Sequence, residues 1–120
     1  MAANPLTVER LGLIGGQGVL CLRGPLTKEN ILSFQNAIRR EEHADTVIID
    51  FSEVPYIDSS GLGSLVTIYL SRQKVGHRVA LSGVNERVYR LLEITKLESL
   101  FLIFPTIDDA LAALTGAAEA

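Results

Sequence analysis

The feature that most constrains the fold is the run from Thr46 to Phe51, which is β-branched and almost continuously apolar. A strand with apolar side chains on both faces has to be covered on both sides, as the central strands of parallel sheets are. A short connection, Ser52 to Ile57, leads from this run to the hexapeptide Asp-Ser-Ser-Gly-Leu-Gly at 58–63, which opens a helix. The sequence therefore predicts a buried central strand whose exit loop runs directly into a helix start.

Strands and helices alternate along the rest of the chain. Periodicity and turn residues predict, besides the central strand and its helix, a strand at Leu6 to Leu13, a turn at Gly15 to Gly18, a strand at Val19 to Arg23, a helix after Thr27, a strand at Val79 to Ser82, a helix at Asn85 to Ile94, a strand at Leu100 to Phe104 and a helix after Thr106. The order β-β-α-β-α-β-α-β-α predicts a single α/β domain: an N-terminal hairpin, then a mostly parallel sheet of about five strands with about four helices. The 120 residues fit one domain, and residues 1–5 are expected to be loose.

Side-chain patterns also predict roles within the helices. Thr27 is expected to cap the first helix, and Arg39 to Glu42 are expected to form its solvated last turn. Thr106 is expected to cap the last helix, with Asp109 as its capping-box partner. The buried stripe of the helix after Asp58 is predicted to consist of Leu62, Leu65, Val66, Tyr69 and Leu70.

Charge and cysteine content narrow the function classes. The net charge is -3 and the Lys and Arg residues are scattered, so direct DNA binding is not expected. The uncharged run from Ser59 to Ser71 is too short to cross a bilayer, so membrane insertion is not expected either. The N-terminal residues contain no apolar signal core, and the one cysteine, Cys21, fits a reducing compartment. These features predict a cytoplasmic protein.

The hexapeptide at 58–63 carries the chemistry. Asp58 is expected to accept hydrogen bonds from N–H groups of the first helical turn. Ser59 and Ser60 stand where helical side chains face solvent, and Gly61 and Gly63 remove bulk beside them, so that another protein can approach. A serine hydroxyl presented in this way is a candidate phosphoryl acceptor.

Catalytic and ligand-binding alternatives find little support. The sequence around Ser59 is not Gly-x-Ser-x-Gly and offers no histidine base, so an enzyme is not expected. The glycines of the first turn lack the Gly-Lys-Ser/Thr ending of a phosphate-binding loop. His43 and His77 are predicted to be surface residues, since no Cys/His cluster accompanies them, and Cys21 is predicted to be a small core residue. No metal or cofactor site is expected.

At this point the sequence resembles a known family. The hexapeptide after a strand ending Ile-Asp-Phe-Ser is similar to the signature of bacterial STAS-domain anti-sigma factor antagonists. The resemblance extends over nearly the whole chain, including the N-terminal hairpin, the segment from Val84 to Leu97 (VNERVYRLLEITKL) and the segment from Phe104 to Leu111 (FPTIDDAL). It implies a STAS-type domain and a regulatory function.

The resemblance implies a partner-switching mechanism. The dephosphorylated antagonist would bind an anti-sigma factor that is also a serine/threonine kinase, and would thereby release a sigma factor. The kinase would phosphorylate the first serine of the motif, Ser59, with Ser60 as the second candidate, and a serine phosphatase would reverse the step. ATP and magnesium belong to the kinase, so the chain itself would need no cofactor. The partner surface would comprise Thr27, Asp58, Ser59, Ser60, Gly61, Leu62 and Gly63.

One segment departs from the family pattern. Antagonists commonly have Gly-Glu-Leu-Asp after the second strand, whereas this chain has Gly24-Pro25-Leu26-Thr27 and so lacks two acidic groups. The departure leaves a second hypothesis open: a STAS scaffold that does not switch, in a stress-signalling assembly or as an accessory subunit of a membrane-transport complex. The sequence leaves the oligomeric state open as well.

Overall fold

The computed structural model describes residues 5–115. The sequence predicts that residues 1–5 are loose; residues 1–4 lie outside the described range, which begins at Pro5. The elements in chain order are β1 (Thr7–Ile14), β2 (Gln17–Arg23), α1 (Ile31–Arg39), β3 (Thr46–Glu53), α2 (Ser59–Gln73), β4 (Arg78–Ser82), α3 (Glu86–Ile94), a short 3-10 helix (Glu98–Leu100), β5 (Leu102–Phe104) and α4 (Ile107–Leu114).

The five strands form one sheet in the order β1-β2-β3-β4-β5. β1 and β2 are antiparallel, and every later pair is parallel, so the predicted hairpin followed by a parallel sheet is confirmed. Each crossover adds the next strand beside the previous one, which aligns Val19, Ile48 and Ala80 in one row across the sheet. Because the parallel strands share one direction, the loops that leave β3 and β4 lie at the same edge of the sheet.

Helices cover both faces of β3, as its apolar sequence predicted. Val47, Ile49 and Phe51 are fully buried in the main core, to which α1, α2 and α3 also contribute. Ile48, which points to the opposite face, packs in a smaller core that α4 closes with Ala110. Thr106 caps α4 by accepting the N–H of Asp109 at 3.0 Å, and its hydroxyl donates to the Asp109 carboxylate at 2.9 Å. The predicted cap of the last helix is therefore confirmed.

The predicted buried stripe of α2 and the predicted start of the last strand were both wrong in one detail. Leu70 is 49% exposed, whereas Ile68 is only 6% exposed and takes the place in the core that the predicted stripe gave to Leu70. The face of α2 that packs inward includes Gly61, Ser64 and Arg72, and a search for apolar residues alone does not find such a face. The last strand begins at Leu102, because residues 98–100 form the 3-10 helix instead.

The charged run from Arg39 to Glu42 is not a fully solvated turn, which corrects a third expectation. Glu41 is only 3% exposed, and its carboxylate accepts a hydrogen bond from the guanidinium of Arg10 on β1. Its backbone carbonyl accepts a hydrogen bond from Arg72 at the far end of α2. A buried carboxylate needs a partner such as Arg10. Arg10 and Arg72 are each more than 30 residues from Glu41, so the local sequence could not reveal either contact.

Cys21 lies on β2 and is buried, as predicted for a small core residue. Burial raises the pKa of its thiol, and the neighbouring Asp50 carboxylate raises it further. Asp50 accepts hydrogen bonds from the hydroxyls of Ser52 and Ser82, which lets this carboxylate remain inside the sheet. The thiol is therefore held mostly in its neutral, unreactive form.

Candidate functional site

Two loops run side by side at the carboxyl edge of the sheet. The N–H of Gly24 donates to the carbonyl of Glu53 at 2.9 Å, and the N–H of Leu26 donates to the carbonyl of Tyr56 at 3.2 Å. The N–H of Asp58 in turn donates to the carbonyl of Leu26 at 3.2 Å. These bonds place the segment that precedes α1 against the segment that opens α2.

Asp58 is the N-cap of α2 and also joins the two loops. Its Oδ1 accepts the N–H of Gly61 at 2.8 Å, and its Oδ2 accepts the N–H of Lys28 at 3.0 Å. The predicted capping role is therefore confirmed. The hydrogen bond from Gly61 is the main cause that lowers the pKa of the Asp58 carboxyl, and the one from Lys28 adds to it. Asp58 is thus ionised at neutral pH, and both of its oxygens are in use.

The two serines differ in their access to solvent. Ser59 is exposed at the first position of α2, whereas Ser60 is half-buried. No hydrogen bond engages either hydroxyl within the part of the chain that the structure describes. The positive end of the helix dipole is at this terminus and favours negative charge there. Of the two hydroxyls, Ser59 is therefore the more accessible to another protein.

The two glycines of the hexapeptide, Gly61 and Gly63, have different surroundings. A methyl group at Gly61 would overlap the backbone carbonyl oxygen of Leu26, so Gly61 is required by close packing within the chain itself. Gly63 is exposed, and a methyl group there would meet nothing within 4 Å. The expected open space beside the serines is thus found at Gly63, while Gly61 is buried.

Two further predicted contact residues lie deeper than expected. Leu62 is half-buried and packs against the main core. Thr27 is only 9% exposed and does not cap α1: the N-cap position belongs to Asn30, which makes no capping hydrogen bond with its side chain. The Thr27 hydroxyl instead bonds Glu29 at 3.0 Å and the amide of Asn30 at 3.3 Å, because a tight turn separates it from the helix.

Other residues beside the hexapeptide were missed by sequence reasoning. Lys28, next to the buried Thr27, is exposed and adjoins Asp58 through its backbone. From the start of α3, the side-chain amide of Asn85 donates to the carbonyls of Val54 and Pro55 at 3.1 and 3.2 Å. Helix-capping residues such as Asn85 could be found by pattern, but their contacts across the fold could not.

A cation–π contact between α3 and the loop from Ser52 to Ile57 could not be predicted from neighbouring residues either. The guanidinium of Arg87 lies 5.1 Å from the ring centre of Tyr56, two residues before Asp58. Together with Asn85, this contact holds the loop that leads into α2 from the side of α3.

Neither histidine is near the serines. His43 follows α1 and His77 follows α2, whose 15 residues span about 22 Å. A general base for Ser59 is therefore not supplied by histidine. Among residues 5–115, no three His, Cys, Asp or Glu side chains are grouped as metal ligands would be, and no helix is long and apolar enough to cross a membrane.

The chain is a small α/β domain with a mixed five-stranded sheet and helices on both faces. It presents an exposed serine at a capped helix start, at the carboxyl edge of the sheet. The family model described as the STAS domain matches residues 6–110. The chain belongs to the STAS-domain family, as its resemblance predicted.

Known relatives fall into two functional groups. The anti-sigma-B factor antagonist of Listeria monocytogenes is 40% identical over 55 residues, which cover 46% of this chain and 48% of that protein. The intermembrane phospholipid transport system binding protein MlaB of Escherichia coli is 33% identical over 89 residues, which cover 74% of this chain and 91% of MlaB. Both groups occur within one fold.

A solved structure has the same fold. The crystal structure of an anti-sigma factor antagonist from Mycobacterium paratuberculosis superposes with a TM-score of 0.80, at 24% identity, over 91% of this chain and 93% of that one. The first curated antagonist relatives are matched over only 48% to 62% of their own length. The similarity therefore establishes family and fold, and leaves partners and mechanism to be inferred.

Proposed function

We propose that this chain is an anti-sigma factor antagonist that works by partner switching. In its dephosphorylated form it binds an anti-sigma factor that is a serine/threonine kinase, and a sigma factor is released. The kinase inactivates it by phosphorylating Ser59, and a serine phosphatase restores it. The chain works in the cytoplasm, does not bind DNA itself and is not an enzyme; ATP and magnesium are bound by the kinase.

The observation that carries this proposal is the contrast between Asp58 and Ser59. Both oxygens of Asp58 are committed to backbone N–H groups, so Asp58 holds the helix start in place. Ser59, directly after it, is exposed and has no intramolecular hydrogen bond within residues 5–115. A kinase can therefore reach the Ser59 hydroxyl without unfolding the site, and the half-buried Ser60 is the less accessible acceptor.

Phosphorylation changes the charge of this surface more than its shape. A phosphoryl group adds roughly 1.5 to 2 negative charges next to the ionised Asp58. The N-terminus of α2 tolerates an anion, and the exposed Ser59 has room for one, so the domain stays folded. A partner that covers this surface has to desolvate both charges, and a loss of about 1.4 kcal/mol already weakens binding tenfold.

The test is phosphorylation by the anti-sigma kinases of the same genome. Each candidate is incubated with the chain, ATP and magnesium, followed by intact-mass measurement, site mapping and a binding assay. We expect one phosphate on Ser59 together with loss of kinase binding. Ser59→Ala should abolish phosphate uptake and keep binding, while the matched control Ser60→Ala should still be phosphorylated. Phosphate on Ser60 would correct the residue, and no uptake from any candidate would contradict the switch.

A second candidate function has its own support. MlaB matches this chain over 91% of the length of MlaB, and residues 24–27 lack the two acidic groups common in antagonists. The alternative is a STAS subunit that is bound permanently in a membrane-transport or stress-signalling complex. Affinity purification of the chain from its own cells distinguishes the two: stable copurification with transport subunits, without phosphate on Ser59, would favour the subunit.

A further inference from the structure

A groove of about 700 Å³ lies between the C-terminal halves of α1 and α2. Its apolar lining comes from the buried Ile38 and Ile68 and from the exposed Val75. This volume is within the range of small-molecule sites, which are mostly apolar with a few fixed polar groups. The groove is at the opposite end of α2 from Ser59, so it belongs to a different part of the surface.

A buried guanidinium lines this groove. Arg72 is 5% exposed, and its Nε, Nη1 and Nη2 donate to the carbonyls of Arg78, Glu41 and Ala44 at 3.0, 3.2 and 2.6 Å. A guanidinium has five N–H donors, so these three bonds leave two without an acceptor in the described chain. No carboxylate of residues 5–115 lies within ion-pairing distance of Arg72. The carboxylates of Glu41 and Asp45 favour the charge of Arg72 from beyond ion-pairing distance, and Glu41 is already paired with Arg10. Two N–H groups of this buried charge therefore remain for an added anion.

Other polar groups line the groove as well. Arg39 lines the rim and forms no ion pair with the described residues. The Nδ1 atom of His77 is buried without a hydrogen-bond partner, and its Nε2 lies 3.9 Å from the exposed Asp45. His43 also lines the groove, and among residues 5–115 the acidic lining residue is Glu42.

We propose that the groove binds a small amphiphilic anion. A carboxylate or phosphate-monoester head would lie among Arg39, Arg72 and His77, and a short hydrocarbon body would cover Ile38 and Ile68. The carbonyls of Glu41 and Ala44, in the turn after α1, are already bound by Arg72, so they do not face an added anion unpaired. The proposal concerns a second site and does not depend on the phosphorylation of Ser59.

The test is a titration of the ¹⁵N-labelled full chain, followed by the amide NMR spectrum. Decanoate and decyl phosphate are the probes, decanol is the neutral control, and all are kept below micelle formation. We expect saturable shifts around residues 35–43 and 67–77 with either anion and weaker binding of inorganic phosphate, which has no apolar body. Decanol binding as tightly as decanoate, or inorganic phosphate binding as tightly as decyl phosphate, would overturn the proposal.

Variants at the rim make the test specific. Arg39→Gln should weaken decanoate binding about two- to fivefold, the range of an exposed ion pair. The matched control, Arg90→Gln on the exposed surface of α3, should leave the affinity unchanged. Ser71→Trp, at an exposed lining position, should block the groove without disturbing the core. Unchanged affinity in both Arg39→Gln and Ser71→Trp would show that the anion binds elsewhere and would overturn the assignment.

Discussion

The two ends of α2 are held by opposite charges in opposite environments. At its start, the partly exposed Asp58 accepts N–H groups from Gly61 and from Lys28, just before α1. At its end, the buried Arg72 donates to the carbonyls of Glu41 and Ala44, just after α1. One carboxylate and one guanidinium therefore fasten α1 to α2 at both ends.

One helix thus combines an exposed serine at its start with a buried guanidinium at its end. The anchor at the C-terminal end is a buried charge whose loss leaves several carbonyls without donors. The N-terminal end is closed by a capping carboxylate at the surface, and the neighbouring Ser59 takes no part in that closure. Chemical change at Ser59 should therefore cost little stability, whereas change at Arg72 should cost much.

Arg72→Met tests the anchor and has the largest expected effect. Removing the guanidinium leaves three carbonyls without this donor, so the free energy of unfolding should fall by about 3 kcal/mol. Urea denaturation followed by circular dichroism measures it. Arg39→Gln, in the same groove but at its rim, is the control and should change the value by less than about 0.5 kcal/mol. Equal values for the two variants would show that Arg72 is not an anchor.

Gly61→Ala and Gly63→Ala should have opposite effects within one helical turn. A methyl group at Gly61 would force Leu26 away from α2, which should cost about 2 kcal/mol. At Gly63 the same methyl group meets nothing within 4 Å, so the better helix propensity of alanine should stabilise the domain by about 0.5 to 1 kcal/mol. Thermal and urea unfolding of both variants check this pair. Destabilisation by both would refute the assignment of Gly63 to open space.

Asp58→Ala should remove the cap and cost about 1 kcal/mol at neutral pH. Because folding lowers the pKa of the Asp58 carboxyl, its ionised form stabilises the folded state above the unfolded pKa, about pH 4. This contribution disappears as the pH falls through the lowered pKa. The difference in unfolding free energy between wild type and Asp58→Ala should therefore shrink from pH 7 toward pH 2. A difference that is independent of pH would show that the charge of Asp58 does not contribute.

Ser59→Ala should have the smallest effect on stability, within about 0.5 kcal/mol, because the side chain is exposed and unpaired in the described structure. Differential scanning calorimetry of wild type and variant measures this change. A loss above 1 kcal/mol would mean that Ser59 supports the helix start and would remove the contrast between the two ends of α2.

The order of elements could be predicted because each one has a local signal. The apolar run from Thr46 to Phe51 identified the central strand, and Asp58 and Thr106 were recognisable as caps from their positions. These signals depend on residues two to four positions apart, which is the range of helix and strand periodicity. The fold class and the helix start at the site were accessible for that reason.

Contacts between distant residues account for the misses. The charged run predicts a solvated Glu41, because the residue that pairs with it, Arg10, is 31 positions away on the edge strand β1. Thr27 is predicted as a cap because no local sequence pattern indicates the turn between it and α1. The burial of Gly61 likewise depends on Leu26, which approaches only when the two loops pair. Tertiary packing decided each of these positions.

The buried Cys21 thiol on β2 can serve as a chemical probe of how often that strand opens. β2 joins the antiparallel hairpin to the parallel strands, and Cys21 is the single cysteine of the chain. Since its neutral thiol is shielded, an alkylating reagent can modify it only while β2 is open. The alkylation rate therefore reports how often this strand detaches, and it can be followed in the unaltered protein close to the carboxyl edge where the loops before α1 and α2 meet.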